Sequence, residues 1–336
     1  MVNRFIKVKS LVCIENTITV ELDFSRNLKR FFHQNSFYIR YGKDISRHNY
    51  SILVIPVVFC LDSISWTLGA DLIVDSIDRD AFESSRIIRK LFNKRYPSNE
   101  NNSVLRSEKI IETRSVDGNS GLLFSGGIDA LHSLKTKIND ISVLYNILGL
   151  RVCLDNLEYY KNWKLKLSKT AKKLDKDIEF IETNFFCVFN FALLNGLYKK
   201  HFDYVNWDEA IGQAIIPLGL CAPVAVDSIS ELLISSSFTE SYKELRGADP
   251  VITDSLRFYG IQVKQIGYEY NRTEKILQIL SWLKENEIIP EVCNTNHVLG
   301  REGNCGVCDK CARTSVTLLL EDENLEILDY PLMNRI

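Results

Sequence analysis

The chain lacks an excess of charge of either sign. Across 336 residues, 41 Lys and Arg stand against 43 Asp and Glu, a formal net charge of −2. That argues against a global basic field able to recruit nucleic acid. Long apolar runs are missing too. The longest, Ile52 to Leu61 and Ala214 to Val226, both contain Pro and fall short of the roughly 20 residues that span a bilayer. Met1 to Lys9 holds no apolar core of the length a secretory signal needs. These absences predict a cytoplasmic protein with no membrane partner. What is present is ordinary globular material, 46% hydrophobic and 25% charged, enough for two domains or one large one.

The order of elements comes from periodicity. Residues 1–96 read as a β-rich N-terminal domain. Ile18 to Leu22, Phe37 to Tyr41 and Ser51 to Cys60 are β-branched or aromatic segments divided by polar stretches. A helix is expected over Asp80 to Asn93. Residues 97–118, opening with Pro97 to Ser103, read as a linker. From residue 119 to residue 336 strands and helices alternate. Strands are expected at Gly121 to Phe124, Val143 to Leu148, Ile178 to Ile181, Leu232 to Ile234 and Ile261 to Val263. Helices are expected from Asp129, after Asn156, over Trp207 to Ile229 and over Thr273 to Asn286. Such alternation predicts an α/β fold, a parallel sheet with helices on both faces. Ligands of such sheets bind beyond the carboxyl ends of the strands. The turn after Phe124 and the run Ser235 to Ser237 both follow strands, so one crevice can take both.

Ser125-Gly126-Gly127-Ile128-Asp129 joins an apolar strand to a helix. Two glycines permit a tight bend and close approach of a ligand. Free amides at a helix start favour an anion. Asp129 beside a bare phosphate makes sense if Mg²⁺ lies between them. The plainer reading is a strand-to-helix turn whose acid offsets the helix dipole. The glycine-lysine-serine ending of a Walker loop is absent.

Nine cysteines are present. Cys13, Cys60, Cys153, Cys187 and Cys221 are scattered through apolar surroundings and read as core residues. Cys293, Cys305, Cys308 and Cys311 fall in one segment, the last three as overlapping C-x-x-C turns eased by Gly303 and Gly306. Four thiolates suit tetrahedral Zn²⁺. An iron–sulfur cluster, four plain thiols, or His297 in place of Cys293 are the other readings.

Phe124-Ser125-Gly126-Gly127-Ile128-Asp129 resembles the pyrophosphate loop of the ATP-pyrophosphatase (PP-loop) superfamily, which includes asparagine synthetases, GMP synthetases, tRNA thiolases and 7-cyano-7-deazaguanine synthases. The usual motif continues with Ser where this chain has Ala130. With the late four-cysteine site added, the chain resembles a divergent 7-cyano-7-deazaguanine synthase over roughly residues 120 to 315. That family's central Pro-x-Arg-Asn-like segment is not visible; Trp207 to Gln213 lies there instead. Its Tyr-Pro-Asp-Cys-Arg stretch is absent as well.

The resemblance implies ATP, Mg²⁺ and Zn²⁺ as cofactors. ATP would lie on Phe124 to Asp129 and on Ser235 and Ser236. Arg246, Lys264, Arg272 and Lys275 follow the late strands and are candidate charge stabilisers, or else solvated surface charges; Asp129 is a further catalytic candidate, and Glu240 and Asp249 are candidate substrate contacts. A carboxylate of the 7-deazaguanine kind would be adenylated, with pyrophosphate released, then attacked by ammonia or by a protein or peptide amine, as in a bacterial defence system. A tRNA-modifying sulfur transferase and a non-catalytic nucleotide-binding scaffold are the alternatives.

Overall fold

The structure, a computed structural model, describes residues 4–97, 101–114, 117–150, 154–201, 207, 212–241, 247–321 and 323–329. By compactness the chain divides into two units, neither continuous in sequence. Met1–Asn119, Ile181–Leu232 and Glu244–Lys264 form the first; Ser120–Phe180, Leu233–Lys243 and Gln265–Ile336 form the second. The composition predicts one boundary, at 97–118. That segment instead carries a strand, and later stretches of chain return to the first unit.

The first unit holds β1 (Phe5–Ile14), β2 (Thr17–Phe24), β3 (Ser36–Arg40), β4 (Asp71–Asp78) and β5 (Leu105–Ile111), in the order β3-β2-β1-β4-β5. The β1–β2 and β2–β3 pairs are antiparallel, and β1–β4 and β4–β5 are parallel. Ile18, Val20 and Leu22 point inward with Phe37 and Ile39, the period of two that made β2 and β3 legible.

The strand expected over Ser51 to Cys60 is helical: a turn at Tyr50–Leu53, then α1 (Ile55–Thr67). Every residue of α1 is buried. A helix buried on all sides has no polar face, so its run of branched side chains cannot be told from a buried strand by periodicity. Pro56 sits in the first turn, where its missing N–H is tolerated. Asp62 of α1 is held by Arg89 of α2 (Arg79–Arg95), whose Nε lies 2.9 Å from Oδ1, and by the Ser85 hydroxyl at 2.9 Å from Oδ2. The long helix expected over Trp207 to Ile229 is shorter among the described residues: Gln213–Leu220, then one turn at Ala222–Ala225.

The later strands are β6 (Asn119–Leu123), β7 (Ile141–Leu148), β8 (Asp177–Thr183), β9 (Ile229–Ser235), the short β10 (Arg257–Phe258) and β11 (Ile261–Ile266); the second unit takes β6 from Ser120, all of β7, the first part of β8 and the last parts of β9 and β11. Their order is β10-β11-β9-β6-β7-β8, with β6 and β7 parallel. The chain is thus α/β with mixed strand pairing. Helices α3 (Ile128–Thr136), α4 (Leu157–Lys173) and α5 (Arg272–Glu285) enclose the core of this unit, in which Leu122, Leu131, Leu144 and Ile279 are fully buried. A capping box fixes the start of α5. The Asn271 side chain accepts from Glu274 N–H at 3.0 Å, and the Glu274 carboxylate accepts from Asn271 N–H at 2.7 Å. Arg272 and Lys275 therefore leave the helix from a defined first turn.

Candidate active site and metal centre

The bend after β6 is clamped from behind. Phe124 donates its N–H to the Tyr145 carbonyl at 2.8 Å. Its own carbonyl accepts from Asn146 Nδ2 at 2.8 Å, and Trp163 Nε1 holds the Asn146 oxygen at 3.2 Å. Gly126 has φ +71, and a Cβ there would lie 2.8 Å from a Leu167 methyl and 3.3 Å from Glu291 Cγ. Both the dihedral and the close approach require glycine. Gly126 also accepts from Glu291 N–H at 2.8 Å, and the Glu291 carboxylate is paired with Lys166 at 2.6 Å. Gly127 is the N-cap of α3, and Ser125 Oγ accepts from its N–H at 3.4 Å. Ser125 is exposed and Gly127 half-buried, so the bend is open on its outer side. The first amides of α3 face away from their own helix. Ile128 and Ala130 point inward to the core.

Asp129 lies in that first turn between two cations. Its Oδ1 is 3.1 Å from Lys275 Nζ and its Oδ2 is 3.3 Å from an Arg272 terminal nitrogen. Lys275 is 2% exposed and also donates to the Ser236 carbonyl. The ends of β6 and β9 are thereby tied through one ammonium, which places the two expected loops together. Burial pulls the Arg272 guanidinium below its ordinary pKa, while Asp129 pushes it back up. The Arg272 Nη2 approaches Thr314 Oγ at 3.4 Å.

Both Asp129 carboxylate oxygens face cations, so Asp129 fixes two positive charges beside the glycine bend. Ser236 is buried, and its hydroxyl donates to the Phe238 carbonyl at 2.7 Å; Ser235 closes β9. Glu240 and Lys264 are exposed. Asp249, expected toward the substrate, belongs to the first unit and caps a short helix, accepting from Val251 N–H at 2.8 Å. Arg246 lies outside the described residues, as do Asp208 to Ile211 of the central segment.

The four-cysteine cluster, a candidate metal site, is built where three short pieces meet. Cys293 is the N-cap of α6 (Asn294–Val298), Cys305 and Cys308 flank a turn, and Cys311 is in the first turn of α7 (Asp309–Leu320). The four sulfurs all lie within 4.8 Å of one another, and the Cys293 and Cys308 sulfurs are 3.9 Å apart. A tetrahedron with Zn–S bonds of about 2.3 Å has S–S edges of about 3.8 Å, so the thiols fit zinc. The turns have the dihedrals expected of them, with Gly303 at φ +71 and Gly306 at φ +75. Backbone N–H groups of Asn296 and Cys308 point at the Cys293 and Cys305 sulfurs at 3.1 and 3.3 Å, as suits thiolate charge. Burial raises the Cys293 and Cys311 thiols above their ordinary pKa, so a bound cation has to drive their protons off. His297 is not in this cluster. Its Nδ1 meets the Tyr159 hydroxyl at 2.5 Å, and its ring lies 4.9 Å from that of Trp163.

Two contributors escaped the sequence reading. Asn304 is buried and satisfies all four of its valences. It accepts from Val292 and Cys293 N–H at 2.8 and 2.9 Å, and donates to the Pro290 and Leu328 carbonyls at 3.0 and 2.7 Å. It holds the Cys293 segment against the turn that bears Cys305. Replacing it with the isosteric Asp removes both donors and sets an anion against two carbonyls. Asn304→Asp is expected to destabilise the protein by about 1–3 kcal/mol for each stranded group; a urea titration with parallel zinc analysis reads the effect. The second contributor is His132. It lies three residues after Asp129, and its Nε2 meets Gln278 Oε1 at 2.8 Å.

Comparison with protein-family models finds no match to this chain, and comparison with curated proteins finds none either.

Proposed function

We propose that the chain is an ATP-dependent enzyme that transfers AMP to a substrate carboxylate and releases pyrophosphate. The observation that carries this reading is the Lys275 ammonium. It joins Asp129, in the first turn after the glycine bend, to the Ser236 carbonyl at the end of β9. A strand–glycine–helix bend with open amides, beside two fixed cations, suits a polyphosphate whose charge rises as it leaves. ATP is the co-substrate, and any Mg²⁺ accompanies its phosphates.

In the reaction, a carboxylate oxygen attacks the α-phosphorus as the bond to the pyrophosphate oxygen breaks. An amine or ammonia then attacks the acyl carbon of the acyl-adenylate, and AMP leaves. Adenylation divides a hard substitution into two easier ones. Lys275 and Arg272 hold positive charge where the pyrophosphate departs. The zinc centre supplies folding energy. With four protein ligands it leaves no open coordination position. A carboxylate of the 7-deazaguanine kind is the proposed substrate class, with ammonia or a peptide amine as acceptor. Sulfur transfer asks for an accessible, uncommitted thiol; Cys311 is buried, and the half-buried Cys308 lies within the four-sulfur cluster.

Incubation with ATP, Mg²⁺ and 7-carboxy-7-deazaguanine, with and without ammonia, tests the reading. With ammonia present, mass spectrometry should find AMP, pyrophosphate and the base with its carboxylate converted to a carboxamide. Formation of ADP, or intact ATP across a panel of carboxylates, would defeat it.

A further inference from the structure

Two pairs of side chains, one pair on α3 and one on α5, meet as two rungs. Asp129 and His132 are three apart on α3, and Lys275 and Gln278 are three apart on α5. Residues at that spacing share a helix face. Asp129 meets Lys275 at 3.1 Å, and His132 meets Gln278 at 2.8 Å. The first rung is the charge cluster beside the glycine bend. The second has no part in the reaction as described so far, yet its imidazole is 1% exposed.

The second rung fixes the imidazole tautomer. Gln278 Oε1 can only accept, so His132 Nε2 carries the hydrogen and Nδ1 presents a lone pair. That Nδ1 is buried and has no hydrogen-bond partner among the described residues. It faces Gly267, where φ is +78. A Cβ on Gly267 would lie 3.5 Å from His132 Nδ1, 3.6 Å from Lys275 Cε and 3.8 Å from Lys275 Nζ. Histidine and lysine thus share the space left by one glycine. Tyr270 stands against the ring at 5.4 Å, and Lys135, on the same helix as His132, donates to the Gln278 carbonyl.

We propose that His132 is a positioning residue for Lys275: as a neutral imidazole, oriented by Gln278, it leaves the ammonium seated on Asp129 and the Ser236 carbonyl. The proposal rests on the adenylation reading of the same site. Protonated on Nδ1, His132 would set a second cation beside Lys275 in a site shielded from water, competing with it for Asp129. The groups facing the ring are Lys275 and Gln278 from α5, Asp129 and Lys135 from α3, and Tyr270. Burial is the largest influence and holds His132 below its ordinary pKa; Lys275 and Lys135 act in the same direction, while the Gln278 hydrogen bond and Asp129 oppose them.

The test has two arms. In the first, nitrogen and carbon NMR of the ring is followed with pH in wild type and in Lys275→Met. Wild type should show the Nε2–H tautomer and titrate below about 6.5. Lys275→Met should move that titration to higher pH. A ring with the other tautomer, or one whose titration ignores Lys275→Met, overturns the proposal whether or not the protein turns over ATP.

The second arm compares the pH profiles of AMP formation for wild type and His132→Gln, with thermal melts to confirm folding. Wild type should lose about tenfold in kcat per pH unit below the His132 titration, and His132→Gln should lack that limb. An identical acid limb in both proteins overturns the positioning role. Absence of AMP formation from wild type across the carboxylate panel, with the NMR coupling present, overturns the adenylation reading instead.

Discussion

Stripping the metal from the four-cysteine centre, or replacing Cys311 with Ala, is expected to cost the second unit much of its stability. Structural zinc contributes roughly 10–16 kcal/mol in small domains that need it to fold. The Cys311 side chain is fully buried within the hydrophobic core of its unit, which also includes Cys293, Leu318, Leu325 and Leu328. Losing only about 5 kcal/mol would lower the melting temperature by roughly 10–20 °C in a domain of this class. The measurement is a thermal melt before and after chelation, with metal analysis of the purified protein. About one zinc per chain is expected, and the loss on chelation should reverse when zinc is returned. Cys187→Ala, which removes an exposed cysteine outside the cluster, should leave both metal content and melting unchanged. A chain that is purified folded and metal-free, with an unaltered melt after Cys311→Ala, would show that the sulfurs only fill space.

That centre was legible because cysteine spacing records its own chemistry. The glycine bend was legible for the same reason: Gly126 needs both its dihedral and its missing side chain, and few residue types satisfy either. Arg272 and Lys275 could be picked out as cations after the last strands, although their union on Asp129 could not. What the sequence hid was set by tertiary burial. α1 is enclosed on every side, so its pattern carries no period. The division into units depends on segments 181–232 and 244–264 returning to the first unit, and no composition shift marks those returns. β5 sits in a stretch whose polar opening reads as a linker. His132 and Gln278 gain meaning only when α3 lies against α5. A signal was present, since each follows a member of the charge cluster by three residues, but it is readable only once the helices are known to face each other. Asn304 had no signal beyond its place between two glycines and a cysteine.

The charge cluster also separates folding from chemistry, since Asp129 can be studied by two independent measurements. Asp129→Ala leaves a nearly buried ammonium at Lys275 without its counter-ion, donating to the neutral Ser236 carbonyl. Breaking a buried pair from one side typically costs about 3–5 kcal/mol, because the remaining charge is uncompensated. The single variant should therefore lose stability and also lose AMP formation, by roughly 100-fold or more if the held cations stabilise the departing pyrophosphate. Replacing both partners changes the balance. Asp129→Ala combined with Lys275→Met removes the more deeply buried cation along with its counter-ion, and apolar replacement of a buried pair is often neutral in stability; the more exposed Arg272 still loses its partner. The double variant is expected to regain part of the urea midpoint lost by Asp129→Ala while AMP formation stays low. Recovery of turnover together with stability would mean that Asp129 and Lys275 only hold α3 to α5, and the cation role proposed for Lys275 would then be withdrawn.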